Sequence, residues 1–119
     1  MKTVTLRAPG GLDSLEVRDT PDPGQPGPGQ IRVAIRATSL NYHDLLVANG
    51  SIPTEDGRVL MSDGAGVVEA VGEGVTEFQI GDHVVSGFFP QWQDGQAYDR
   101  VGNFAETPDD GVDGFTAEY

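Results

Sequence analysis

The stretch from Leu60 to Val85, LMSDGAGVVEAVGEGVTEFQIGDHVV, narrows the folds open to this chain more than any other. It holds two apolar runs, each closed by glycine and acidic residues. Gly64 to Val71 is apolar on both sides except at Glu69, which suits a strand in a barrel wall. Gly72-Glu73-Gly74 turns it, and Gly81-Asp82 turns the chain again before a strand expected over His83 to Phe89. Upstream, Ile31, Val33, Ile35 and Ala37 alternate with Arg32, Ala34, Arg36 and Thr38, the period-2 signature of a half-buried strand. Thr3 to Arg7 and Leu15 to Arg18, separated by Pro9-Gly10-Gly11, read as an opening hairpin.

The connections follow from local chemistry. Pro21 to Gly29, PDPGQPGPG, cannot hold a ladder because proline lacks the donor and glycine costs entropy, so it is a surface loop. Ser39 or Asn41 can cap a short helix over Tyr42 to Asn49, with Leu45, Leu46 and Ala48 as apolar contacts and Gly50 as its left-handed stop. Asn49-Gly50-Ser51 is a glycosylation sequon in form, but it reads better as that helix-ending turn. After Pro90 the composition shifts to Asp, Gly and Gln as far as Gly114. This is a long loop pinned by Trp92, Tyr98 and Phe104, with a final strand beginning at Phe115. No internal repeat is visible.

Composition supports a mainly β domain. The chain has 119 residues, one domain's worth, with 37% hydrophobic residues, 17 Gly and 8 Pro, which favours short strands and many turns over a helical bundle. A net charge of −12, from 19 acids and 7 bases, repels phosphate backbones and anionic bilayers, so neither nucleic acid nor a membrane is an expected partner. There is no cysteine, which excludes disulfides and thiolate metal sites alike. Met1-Lys2-Thr3-Val4-Thr5-Leu6-Arg7 has no apolar signal core, so a cytoplasmic protein is the expectation.

The glycines do not make a nucleotide site. A dinucleotide fingerprint needs Gly-x-Gly-x-x-Gly between a strand and a helix. Gly64-Ala65-Gly66-Val67-Val68 leads instead to Glu69, and Gly72-Glu73-Gly74-Val75-Thr76 leads to Glu77. Neither run opens a helical pattern. The acidic loop from Asp94 to Asp113 reads as a solvated charge run, with a hard cation as the alternative, and His83, after its Gly-Asp turn, as a solvated side chain.

Taken together, the Leu60 to Val85 run and the upstream Asn41-Tyr42-His43-Asp44 resemble the substrate-side domain of the medium-chain dehydrogenase/reductase superfamily. More narrowly, they are similar to its zinc-independent quinone oxidoreductase and alcohol dehydrogenase-like branch. The resemblance covers nearly the whole chain and implies a GroES-like, partly open β-barrel with short helices over residues 1–119, incomplete at its C-terminal end. It also implies a Rossmann domain, absent from these residues, that binds most of NADP(H) or NAD(H), with the active site in the cleft between the two. Zinc-bearing members place a Cys before the short helix and a Gly-His-Glu at the later strand. The matching positions here read Asn41 and Met61-Ser62-Asp63, a poor tetrahedral set, so no zinc is expected.

The function implied is hydride transfer to a quinone, an enone or an alcohol/carbonyl pair, with a small-molecule carbonyl or quinone as partner and a homodimer in the full-length protein. Without a metal, hydrogen-bond donors must stabilise the developing oxyanion, and the resemblance assigns this to Asn41, Tyr42 and His43. His43 stands where the zinc enzymes place a proton-relaying Ser or Thr, and imidazole titrates near neutrality. Asn41 and Asp44 are expected at the cofactor, and Ser62 and Asp63 in the substrate cleft. Each also has a structural reading: Asn41 as a helix cap, Tyr42 as a half-buried core aromatic, Asp44 as a first-turn acid favoured by the helix dipole, and Ser62-Asp63 as a bend. Quinone reductases often carry a Tyr further along this helix, where this chain has Leu45 and Leu46. A barrel acting alone as a binding or assembly module, or a pseudoenzyme, is the competing reading.

Overall fold

A computed structural model describes residues 1–97 and 104–119. The expected pinning residue Tyr98 lies outside the described residues. The architecture is mainly β, in two three-stranded antiparallel sheets. The first pairs β1 (Lys2–Leu6) with β2 (Leu15–Asp19) as the expected hairpin, Val4 opposite Val17, and adds β4 (Arg58–Val59) on the other edge. A single 3-10 turn, Leu12–Ser14, leads into β2. The second sheet runs β3 (Ile31–Ala37), β5 (Ala65–Val71) and β6 (His83–Val85).

The C-terminal segment joins the sheets into a partly open barrel that does not close. The amides of Gly114, Phe115 and Thr116 donate to the carbonyls of Val59, Met61 and Leu60 at 2.8 to 2.9 Å, and Val4 N–H donates to Thr116. Two residues further on, Ile35 N–H of β3 donates to Glu118 at 2.9 Å. The strand expected from Phe115 is thus an extended tie carrying one ladder bridge, Thr3 to Ala117, because its hydrogen bonds are divided between two sheets.

Two other expectations are corrected. The strand expected to reach Phe89 stops at Val85, where Ser86 closes the ladder: its amide donates to Gly64 and its hydroxyl accepts from Gly64 N–H. On β3 the buried residue is Ala34, 3% exposed, whereas Ile31, Val33 and Ile35 are only half-buried and Ala37 is exposed. Irregularities between Arg32 and Val33 and between Ile35 and Ala37 break the strict alternation. Gly66 of β5 also lies so close that a Cβ there would stand 2.2 Å from the Ala34 carbonyl.

The helix α1 (Tyr42–Ala48) is the element that places the site. Its buried anchor is Val47, fully inaccessible, which packs with Leu6, Leu60 and Met61. Leu45, expected as an apolar contact, is 46% exposed, because the helix turns Val47 rather than Leu45 toward β1 and β4. Gly50, at φ 83°, ends it, and Gly10 approaches Gly50 so closely that a Cβ on Gly10 would stand 2.7 Å from the Gly50 Cα. The Leu60–Met61 pair, which follows β4 directly, therefore packs beneath Val47 in the last turn of α1, and Ser62 and Asp63 run on to the helix start. Among the described residues no helix is long and apolar enough to cross a membrane.

Candidate functional site

The N-terminus of α1 meets the Met61–Asp63 link, and the sequence explains why both stay in place. Asn41, extended at φ −107°, caps the helix with Asp44 in a capping box, and the Asp44 Oδ2 accepts from Asn41 N–H at 2.7 Å. The same carboxylate reaches across to the link: Oδ1 accepts from Ser62 N–H at 3.0 Å and from the Ser62 hydroxyl at 2.6 Å. Asp44 is 4% exposed and Ser62 is fully buried. Burial acting alone would raise the Asp44 acid, but the bonds from Ser62 and Asn41 outweigh it and hold the carboxyl below its ordinary value.

Asn41 itself is exposed, yet its amide nitrogen faces inward. Nδ2 lies 3.0 Å from Asp63 Oδ2, 3.2 Å from the Ser39 carbonyl and 3.3 Å from Ser62 Oγ, while Ser39 N–H donates to Asp63 Oδ1 at 2.9 Å. Three acceptors around one NH2 orient the amide, with its oxygen toward the helix turn. Asp63 is half-buried and borders a pocket of about 260 Å3 lined by Thr38, Ser39, Gly64, Val85 and Ser86. Beside Asn41, Leu40 and Tyr42 stand 86% and 75% exposed.

His43 turns the other way. Its ring packs against Phe88 with centroids 5.3 Å apart and against Phe104 at 5.7 Å, and Phe89 and Trp92 extend the cluster. Its buried Nε2 has no hydrogen-bond partner among the described residues and stands 3.9 Å from Asp110 Oδ2, beyond hydrogen-bond range. The structure thus brings Asn41, Asp44, Ser62 and Asp63 into one network, leaves Tyr42 projecting from it, and places His43 behind it in an aromatic wall. Ser62, expected in the cleft, lies buried beneath Asn41.

The acidic loop was expected to be solvated, and here the structure differs. Asp109 is fully buried, its Oδ1 accepting from Met61 N–H at 3.0 Å, and its buried Oδ2 has no hydrogen-bond partner among the described residues. Burial first, then the Asp44 charge, pushes the Asp109 carboxyl up to about 7. Asp110 is also raised, by burial, against the opposing pull of His43 and Arg58. Sequence reasoning missed both acids. The available signal was the sharp Thr107-Pro108-Asp109-Asp110-Gly111 turn, read only as loop.

Residues 27–119 match the alcohol dehydrogenase GroES-like domain family. The chain belongs to that family. Within the medium-chain dehydrogenase/reductase superfamily, this GroES-like domain is 51% identical over 83 residues to a mycocerosic acid synthase-like polyketide synthase of Mycolicibacterium smegmatis, covering 68% of this chain and 4% of that protein. A crystal structure of an NAD-dependent alcohol dehydrogenase superposes with a TM-score of 0.77 at 36% identity, over 99% of this chain and 36% of that one. Escherichia coli quinone oxidoreductase complexed with NADPH gives 0.63 at 28% identity, over 71% of this chain and 26% of that one. The domain therefore spans a minor part of each relative: about 4% of the polyketide synthases and about a third or less of the oxidoreductases.

A family that includes alcohol dehydrogenases raises the question of zinc. The donors at the cleft are an amide, a hydroxyl and one carboxylate, and both oxygens of that carboxylate already accept hydrogen bonds from Ser39 and Asn41. Such a set matches tetrahedral zinc poorly. Among the described residues no group of three or more His, Asp or Glu side chains is placed to hold a metal ion.

Proposed function

We propose that this domain is the substrate-side part of a zinc-independent, NAD(P)-dependent oxidoreductase that transfers hydride to or from a quinone, an enone or an alcohol/carbonyl pair. The single observation that carries the reading is the ordered network at the start of α1, in which Asp44, Ser62 and Asp63 fix the exposed Asn41. That is the construction expected of a group that must meet a reactant in one geometry. Leu40, Asn41 and Tyr42 are exposed together at the helix start, where a nicotinamide ring can meet them, while these 119 residues carry no phosphate-binding fingerprint. The rest of the dinucleotide is therefore assigned to a Rossmann domain outside them.

The nicotinamide, when bound, supplies or accepts the hydride. Around it, Asn41 positions the ring or substrate at the network's edge, with Asp44 and Ser62 holding it and Asp63 forming the pocket wall. The Tyr42 hydroxyl is the exposed donor available to a carbonyl oxygen, while His43, its Nε2 buried in the aromatic wall, is left outside the proposed step. The support is the geometry, together with relatives named as a quinone oxidoreductase and an NAD-dependent alcohol dehydrogenase.

The test is kinetic. In the full-length protein, free of added metal, Asn41→Ala is expected to lower kcat more than it raises KM, since a fixed group contributes most in the transition state. The 119-residue domain alone is expected to oxidise no NADPH with a quinone. An unchanged kcat, or turnover that requires stoichiometric zinc, would refute the assignment.

A further inference from the structure

We propose that Asp109 is a positioning residue for this site: through a proton shared with Asp44, it locks the Asn41 and Ser62 corner of the cleft to the 104–112 turn. The inference rests on the reading of that corner as the catalytic cleft. Its ground is geometric. Both carboxyl groups are buried and accept from successive backbone amides, Asp109 from Met61 and Asp44 from Ser62, and Asp109 Oδ2 is buried with no donor among the described residues; two carboxylates can only accept, so a bond between them requires a proton on one. Asp44 is the carboxylate, because Asn41 N–H, Ser62 N–H and the Ser62 hydroxyl all donate to it. Asp109 is the acid, because among the described residues it receives only the Met61 amide on Oδ1 while its buried Oδ2 receives no hydrogen bond.

The backbone supports the same conclusion. Met61 and Asp109, joined by that bond, both stand in the left-handed region at φ 76° and 78°, unfavourable for residues with side chains. A side-chain bond is what holds such a pair in place. Behind it the turn is tight: Asp110, Gly111 and Val112 amides all donate to the Thr107 carbonyl, and a Cβ on Gly111 would stand 2.1 Å from the Ala105 carbonyl. A displaced Asp109 would therefore carry the turn with it rather than rotate away alone.

The charged neighbours are His43 and Asp44 from α1, Asp110 from the same turn and Arg58 of β4 beside Asp110. Asp63, on the link, has its oxygens turned to Ser39 and Asn41. None supplies a cation hydrogen-bonded to Asp109. With its folded value near 7 and its unfolded value near 3.8, the acid contributes fully below about pH 4, and its contribution is lost as the pH rises through 7. Ionisation then sets two buried carboxylates against each other.

The experiment is amide hydrogen exchange on the full-length protein between pH 6 and 8, read at Asn41, Met61 and Ser62, alongside kcat/KM over the same range. In the wild type, protection at these amides, corrected for intrinsic rates, is expected to fall about tenfold across the range. In Asp109→Asn, whose amide donates to Asp44 at any pH while its oxygen still accepts from Met61, protection is expected to stay level. In Asp109→Ala it is expected to be low throughout. Wild-type protection that does not change with pH, or Asp109→Asn following the wild type, would overturn the proposal. If exchange behaves as expected while kcat/KM responds to neither pH nor Asp109→Asn, the pairing stands and the catalytic reading of the cleft fails.

Discussion

Replacing Ser62 by alanine isolates the bond on which the arrangement turns. The residue is fully buried, and its hydroxyl donates to Asp44 Oδ1 at 2.6 Å while accepting from Asn41 Nδ2 at 3.3 Å. A hydrogen bond to a buried carboxylate contributes about 1.5 to 3 kcal/mol. The Asn41 side loses little, since Nδ2 keeps the Ser39 carbonyl and Asp63, and Asp44 keeps the amides of Asn41 and Ser62, so its charge is not left bare. One methyl replacing a hydroxymethyl leaves only a small void. The expected loss is therefore about 2 kcal/mol, which at a urea dependence of about 1.5 kcal/mol per M lowers the midpoint by roughly 1.3 M at pH 7. Circular dichroism in a urea titration reads it directly. The loss should shrink in acid: Asp44 is held below its ordinary value, so the stability it contributes is present above about pH 4 and disappears as the pH falls through its folded value. A loss under about 0.5 kcal/mol at pH 7 would show that the Ser62 hydroxyl does not bond an ionised Asp44.

Thr5 gives the opposite sign from the same kind of group. Its hydroxyl is buried on β1 without a partner among the described residues, so Thr5→Val, of equal shape, is expected to leave stability unchanged or raise it by up to about 1 kcal/mol by thermal melting; a loss above that would reveal an acceptor. Gly66→Ala is expected to cost about 2 to 3 kcal/mol, because its Cβ would lie 2.2 Å from the Ala34 carbonyl and 2.7 Å from Val33 Cγ1. Gly87→Ala, where a Cβ would meet nothing within 4 Å, is the control, and equal urea midpoints for the two would refute the close approach of β3 and β5.

The strands were readable wherever periodicity and punctuation agreed. The hairpin of β1 and β2, the β3 and β5 strands, and α1 with its Asn41 cap and Gly50 stop all lie where alternation, glycine and capping chemistry place them. What alternation could not supply was the side that is buried. Ile31, Val33 and Ile35 look like a core face, but Ala34 is the buried residue, and it is Gly66 on the facing strand whose missing side chain admits the Ala34 carbonyl and Val33 Cγ1. The two-residue β4 and the shared hydrogen bonding of 114–118 have no periodic signal at all. Both depend on partners 50 to more than 100 residues away in sequence.

The site divides along the same line. Asn41 with Asp44 three residues later is a local pattern, and its capping role follows from spacing. That the same carboxylate also binds Ser62 is a tertiary fact, produced by packing Val47 onto Leu60 and Met61, which brings the link beneath the helix start. Asp109 is further still from anything a sequence pattern reports. In a chain with 19 acids and 7 bases, an aspartate in a glycine-rich loop has every reason to be solvated, and its burial becomes intelligible only when Asp44 is already seen to be held as the carboxylate by its donors. A carboxylate held charged by three hydrogen bonds can serve as the acceptor for a second acid, and that acid can then remain neutral inside the protein. The order of these conditions matters. The cap orders Asp44, Asp44 orders Ser62 and admits Asp109, and the polar corner is complete only when the distant turn has docked, so the geometry of Asn41 reports on the folding of the whole barrel rather than on its own helix.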